Sequence, residues 1–306
     1  MNTSNSNNER IEHRTCPLCA HKETKILLVS KDFKFSKQDF DISECLSCGM
    51  VFTRNPPAEI HAGYFYQDPG YISHSDSKKG IINRLYHISR SFMLKKKRHL
   101  IEKETSGRRL LDIGSGTGYF LNEMKINGWN ADGVEISESA RNFCEINFGI
   151  KPYYPHDITG DKLSTGYDVI SLWHVLEHVY DPDQYLNKIF GLLAQNGILV
   201  LALPNSCSAD AKHYREFWAG YDVPRHLWHF SPETIEKLLC KHHFTLHRSY
   251  RMPLDGYYVS MLSESYRSGG FLSIIRGVTW GFMFHIKSLL FKNSSSSLIY
   301  IFKKTN

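Results

Sequence analysis

Leu110-Leu111-Asp112-Ile113-Gly114-Ser115-Gly116-Thr117-Gly118 is the stretch on which the reading of this chain turns. An apolar run ends in an acid and an aliphatic residue. Three glycines then alternate with small hydroxyl residues, and Tyr119-Phe120-Leu121 opens a helical pattern. The order predicts a buried strand, a tight turn and a helix start. Glycines let backbone come close to a ligand, and a helix N-terminus offers free N–H groups. A Gly-rich turn alone is weak evidence, so the context has to carry the argument. The next predicted strand, Asn130 to Val134, ends at Glu135, about 20 residues past the first glycine, where nucleotide-binding α/β folds keep a carboxylate for a ribose.

Strand and helix patterns alternate outward from that turn. Strands are predicted at Arg109–Ile113, Asn130–Glu135, Pro152–Tyr154, Val169–Leu172 and Ile198–Leu203, with helices at about 118–127, 138–148 and 182–193 between them. Such alternation implies a parallel sheet covered by helices on both faces, with ligands at the carboxyl ends of the strands. Ser231-Pro232-Glu233-Thr234 has the form of a helix N-terminus, with Ser231 as cap and Pro232 in the first position. The long stretch Ser206 to Phe230 reads as an irregular loop, and loops of that length in a compact domain are usually functional.

A dinucleotide-binding fingerprint, G-x-G-x-x-G, would need glycine where Tyr119 stands. The G-x-G-x-G found here resembles motif I of the class I S-adenosylmethionine (SAM) methyltransferases. The resemblance continues through Asp132-Gly133-Val134-Glu135-Ile136, His156-Asp157-Ile158 and the run Tyr167 to Val179, and covers about 95–304. It implies an α/β, Rossmann-like, seven-stranded sheet closed by an antiparallel pair, Phe244–Arg251 and Leu298–Lys303. It also implies a cofactor site. Gly114, Ser115, Gly116 and Gly118 would meet the methionyl and ribose portion, and Asp112 would orient that loop. Glu135 would hold the ribose hydroxyls, Asp157 with Ile158 the adenine, and Ile136, Trp173 and His174 would lie against the cofactor.

The remaining segments frame that core. Four of the seven cysteines form two C-x-x-C pairs, Cys16/Cys19 and Cys45/Cys48, on either side of a strand-like stretch. They look like a zinc ribbon with one structural Zn²⁺ in a full Cys₄ shell. This cysteine usage suits a reducing compartment. The expected divisions are a disordered tail over 1–12, the ribbon over 13–54, a linker and helical cap over 55–108, and the methyltransferase domain over 109–306 with an insertion at 252–296. The tail lacks the apolar core of a signal peptide. Tyr71 and His74, in an aromatic and hydroxyl-rich linker, are candidates for acceptor contact or for plain packing. The net charge of +6 is uneven, with eleven basic and two acidic residues between Lys78 and Arg109. Such a run usually forms a solvated helix face. In the insertion, Phe271, Ile274, Ile275, Val278, Phe282, Ile286 and Leu289 fall on one helical face, while Arg276 and Lys287 interrupt any continuous span. The segment is read as a lid or as a peripheral membrane contact through 271–291.

Methyl transfer to a hydroxyl needs a base, and His174, His178 and His226 are the catalytic candidates. Arg225 and His229 are candidates for holding the acceptor. Some methyltransferases of the class that this chain resembles carry Glu-x-x-Glu-His where it has His174-Val-Leu-Glu177-His178, and bind a divalent ion there. On a helix these three residues would share a face, so metal, structural and acid–base roles all stay open. The expected activity is SAM-dependent methylation, at oxygen or carbon, of a small or lipid-linked acceptor: a sugar, a quinone-like molecule or a glycan precursor. An RNA methyltransferase and an inactive SAM-binding scaffold are the alternatives. DNA is not expected as a partner, and RNA is disfavoured because no RNA-binding module is seen. The expected location is the cytoplasm, with the inner membrane surface as an option.

Overall fold

The computed structural model describes residues 9–67, 81–160, 162–252 and 254–305. Tyr71 and His74 lie outside the described residues. The chain opens with β1 (Thr24–Lys31), β2 (Asp39–Cys45), β3 (Val51–Thr53), α1 (Glu59–Ala62) and the long α2 (Ile81–Glu104). The core follows as β4 (Arg109–Ile113), α3 (Tyr119–Ile126), β5 (Asn130–Val134), α4 (Glu138–Phe148), α5 (Pro155–Thr159), β6 (Tyr167–Trp173), α6 (Pro182–Leu192) and β7 (Leu193–Pro204). The last third holds α7 (Ala209–Tyr214), β8 (Trp228–His229), α8 (Pro232–Lys241), β9 (Phe244–Arg251), α9 (Asp255–Ser268), α10 (Phe271–Leu290) and β10 (Ser297–Lys304).

The main sheet runs in the order β5-β4-β6-β7-β10-β9. The first four strands are parallel, and β10 is antiparallel to both β7 and β9. Its strands are nearly continuous apolar runs because helices cover both faces. Leu110 and Val169 pack on one face with Ile101 of α2, while Leu111 and Ile170 join the core on the other. Six strands form where seven were expected. The missing one, Pro152–Tyr154, contributes a single parallel bridge from Tyr153 to Val134. Pro152 and Pro155 flank that residue and have no N–H to extend the ladder.

The second sheet runs β1-β2-β3-β8, antiparallel throughout. Its fourth strand belongs to the segment between β7 and α8: Val51 pairs with His229 and Phe52 with Trp228. The cysteine module is therefore not a separate bead before the core. It shares a sheet with the stretch expected to be an irregular loop, which contains α7, two short 3₁₀ turns and β8.

Candidate active site

The glycine turn leaves β4 at the carboxyl edge of the sheet. Gly114, Gly116 and Gly118 all have positive φ, a conformation that favours glycine. Two of them show different reasons. A Cβ on Gly114 would come within 2.3 Å of Val175 Cγ2, so the segment after β6 packs directly on this turn. A Cβ on Gly116 would meet nothing within 4 Å, so that face of the loop is open.

Glu135, at the end of β5, accepts from Gly116 N at 2.7 Å and from Ser137 N at 2.8 Å. Its carboxylate thus ties the turn to the start of α4. Ile136 beside it is 80% exposed. Ser115 is buried with no partner for its hydroxyl. Asp157 accepts from Tyr154 N at 2.9 Å and pairs with Lys162 at 2.8 Å, and Ile158 beside it is buried.

Asp112 is buried below the turn and accepts from Ser171 Oγ at 2.6 Å. Burial pushes its carboxyl up to about 7, against the pull of that hydrogen bond and of Lys97. Lys97 was expected on a solvated face. Its ammonium instead turns inward, 4.1 Å from the centroid of the Trp173 ring, and burial lowers it to about 8 although Asp112 and Asp255 favour its charge. Trp173 itself packs edge-on against Phe120.

The segment after β6 does not form an α-helix, the geometry on which His174, Glu177 and His178 would share a face. His174 has φ 58°, and a short 3₁₀ turn follows over Leu176–His178. This geometry still brings His174 Nδ1 within 3.4 Å of Glu177 Oε1. Burial works against a charge on His174, but Glu177 and Asp255 outweigh it and raise the imidazole above its ordinary value. Glu177 is 1% exposed, and neither carboxylate oxygen has a hydrogen-bond partner. A buried carboxylate without a donor needs a cation, a water or a ligand. Burial opposes its ionisation, yet the three imidazoles of His174, His178 and His226 hold its carboxyl below the usual range.

His226 comes from the segment before β8, and its ring lies 4.6 Å from that of His178. Glu177, His178 and His226 each place one ligand atom within 4.8 Å of the others. The Nδ1 of His178 is 2.9 Å from Arg225 O, and that of His226 is 2.9 Å from Gly220 O. A carbonyl can only accept, so both Nδ1 atoms donate and each Nε2 is left as an acceptor. Metal-ligating histidines commonly show this arrangement. Burial, and next His178, lowers His226 to about 4. It is neutral near pH 7, as a metal ligand must be, and so lowered it is a weak base there.

Arg225 and His229 are not turned toward an acceptor. Arg225 donates to Asp32 Oδ1 at 2.9 Å, Asp222 Oδ1 at 2.8 Å and Phe65 O at 2.9 Å, all buried or nearly so. His229 is buried with Nε2 3.1 Å from Thr53 Oγ1, and packs edge-on against Tyr221. Both fasten the cysteine module to the segment that carries His226. The sequence reading missed Tyr66, whose hydroxyl lies 3.1 Å from His178 Nδ1. Its only signal was membership of the aromatic linker.

The cysteine cluster is closed in the same way. Sγ of Cys16 lies 3.5 Å from that of Cys48, Cys19 Sγ lies 3.6 Å from Cys45 Sγ, and all four sulfurs fall within 4.8 Å of one another. Thiolates about 2.3 Å from a tetrahedral zinc would be separated by such distances.

A parallel sheet closed by an antiparallel pair, with a glycine turn and an acid at the ends of its first two strands, is the Rossmann-like fold of class I methyltransferases. Residues 85–249, just over half of the chain, match the family described as "Methyltransferase domain", and the chain belongs to that family. It is 29% identical over 129 residues to the mitochondrial ubiquinone biosynthesis O-methyltransferase of Schizosaccharomyces pombe, covering 39% of this chain and 47% of that protein. It is 31% identical over 106 residues to the ubiquinone biosynthesis O-methyltransferase of Caulobacter sp., covering 32% and 42%. The chain thus spans about half the length of the curated relatives it matches. The solved structure of magnesium protoporphyrin IX methyltransferase from Synechocystis PCC 6803, with bound SAH, aligns over 80% of this chain and 99% of that one. The TM-score is 0.50 at 13% identity, a likeness of fold.

Proposed function

We propose that this protein transfers a methyl group from SAM to a hydroxyl of a small or lipid-linked acceptor, with His174 taking the proton. The observation that carries the reading is Glu177, a buried carboxylate beside three imidazoles, with His174 Nδ1 3.4 Å from its Oε1. It sits in the segment whose Val175 packs on the glycine turn. Two empty-handed features of the other half fit the cofactor: the open face at Gly116 and the unpartnered Ser115 hydroxyl. Gly114 to Gly118, Glu135 and the exposed Ile136 would hold it. When bound, SAM supplies a methyl group already activated as a sulfonium.

The chain's own residues then have two tasks. Packing around Val175 and Trp173 fixes the acceptor side against the cofactor side and excludes water. His174, oriented through Nδ1 by Glu177, offers Nε2 to the acceptor's proton, and Glu177 stabilises the imidazolium that results. The donor set Glu177, His178 and His226 also fits a divalent cation, which would lower the pKa of an acceptor hydroxyl. The Cys16, Cys19, Cys45 and Cys48 cluster fits one structural zinc.

The test is a labelled-methyl assay against a panel of phenols, catechols and sugar derivatives, with and without magnesium or chelator. Turnover of a hydroxyl acceptor is expected, falling about 10²–10⁴-fold in His174→Ala with SAM binding retained. Unchanged turnover in His174→Ala would remove the base from the mechanism. SAM binding without transfer to any acceptor would favour a scaffold.

A further inference from the structure

The α9–α10 hairpin is built the wrong way round for a helix pair in water. Its inner face is made of small residues. Ser273, Gly277, Gly281 and Ser288 are the buried positions of α10. A Cβ on Gly277 would lie 2.4 Å from Met261 Cα, and one on Gly281 would lie 2.9 Å from Tyr257 Cα. The two helices therefore touch backbone to backbone, and α10 contributes almost no large apolar side chain to this seam. Trp280 and Phe284 reach sideways onto His213 and Tyr214 of α7 and fasten the hairpin to the domain.

The large apolar side chains are left outside. Phe271 is 76% exposed, Leu290 is 75% exposed, and Ile275, Val278, Phe282 and Ile286 between them are about half exposed. By helical spacing they form one stripe along a helix of 20 residues, roughly 30 Å long. An unbroken apolar face of that length exceeds what scattered exposed residues explain. Among the described residues no helix is long and apolar enough to cross a membrane. A lid would point this stripe toward the core, and it points away.

Charge identifies the occupant. Lys287 lies on one border of the stripe by helical spacing, Arg276 shares that border about three turns earlier with its charge paired to Glu264, and Arg267 and Lys292 mark the hairpin's two ends. All four are exposed. The two acids of the hairpin are both engaged: Glu264 is buried and paired with Arg276, and Asp255 accepts from Ser297. A second copy of the chain would set like charges against each other. A bilayer with anionic headgroups takes the apolar face into its acyl boundary and the cations at its surface.

We infer that α10 docks the protein, in the plane of the interface, onto membranes that carry anionic lipid. The inference concerns binding alone and stands apart from the methyl-transfer reading.

The test uses the full chain and sedimentation with two kinds of vesicle, phosphatidylcholine alone and phosphatidylcholine with about 30% phosphatidylglycerol. Wild-type protein is expected to pellet with the anionic vesicles and to stay largely in solution with the neutral ones. Phe282→Ser/Ile286→Ser should weaken partitioning about tenfold or more, and Lys287→Gln/Lys292→Gln should weaken it and flatten its salt dependence. These side chains are exposed, so melting temperature and SAM binding should stay at wild-type values in both variants. Wild-type protein that pellets with neither vesicle would overturn the inference. So would equal binding to both, or a dimer in solution that the Phe282→Ser/Ile286→Ser pair abolishes while vesicle binding is absent.

Discussion

The two halves of the site sit side by side at the carboxyl edge of one sheet, yet they are assembled on different scales. The half proposed for the cofactor is local. Glu135 reaches Gly116 across 19 residues, and the turn, its acid and the following helix come from one β-α-β unit. The half proposed for the acceptor is long-range. Thr53 donates to His226 O across 173 residues, and Arg225 reaches Asp32 across 193. Its His226 stands just before β8, which is an edge strand of the cysteine module as much as a part of the methyltransferase domain. A site built this way can change its acceptor half without disturbing the grip on the cofactor. It can also lose that half through damage far from the chemistry.

The largest effect is expected at Glu177. Glu177→Gln keeps the shape but removes the charge that faces His174, His178 and His226. Steady-state kinetics should show kcat lower by about 10²–10⁴ with SAM affinity preserved. A parallel loss of SAM binding would mean that the halves are not separable. Glu135→Ala probes the other side. Losing two charge-assisted contacts there should weaken SAM binding about 30-fold or more, measured by calorimetry. Unchanged binding would take Glu135 out of the cofactor site.

Zinc removal gives a smaller and more telling effect. On sequence grounds the ribbon would unfold alone, because it is too small to have its own core. The structure changes that expectation, since β3 and β8 share a sheet and Arg225 is anchored on Asp32. Cys45→Ser, or chelation of the metal, should therefore lower turnover about tenfold or more while SAM affinity and the main-sheet circular dichroism stay near wild type. Turnover per SAM-binding molecule that matches wild type would reduce the ribbon to an appendage. Metal analysis of reduced protein should find one zinc per chain.

The same contrast explains what was legible in the sequence. Gly114 to Gly118, Glu135 and the alternating strands were readable because each signal is local: a turn that needs positive φ, an acid at a strand end, an apolar run. The Ser231 cap was readable for the same reason, and its side chain does accept from Thr234 N. Arg225 and His229 were misplaced because residue type suggested chemistry, whereas long-range packing turned both inward onto the ribbon. Lys97 stands in the basic run Lys95-Lys96-Lys97-Arg98 that reads as solvated, and nothing local tells one of its three lysines to turn inward. Pro152 and Pro155 are visible in the sequence, and because neither has an N–H for the ladder they hold the edge strand to a single bridge.

The smallest effect tests whether the cofactor half waits for a positive charge. Asp112 is buried below the glycine turn, and burial raises its carboxyl to about 7 even though Ser171 donates to it and Lys97 stands nearby. A folded-state value above the unfolded one, about 3.9, means that folding favours the protonated acid. The stability it contributes is present below the unfolded value and is lost as pH rises through about 7. Between pH 6 and 8 the protein without cofactor should lose about 1 kcal/mol on this account. Asp112→Asn keeps the oxygen that Ser171 uses and cannot ionise, so its stability should lack that slope. Bound SAM brings an ammonium and a sulfonium. If Asp112 serves the cofactor, those charges should flatten the slope in wild-type protein too, because they offset the cost of ionising the buried acid. Urea unfolding at several pH values, with and without SAM, reads all of these differences. Identical pH dependence in wild type and Asp112→Asn would mean that the acid titrates as if exposed. A wild-type slope that SAM leaves unchanged would place Asp112 outside the cofactor's field and make it a part of the sheet alone.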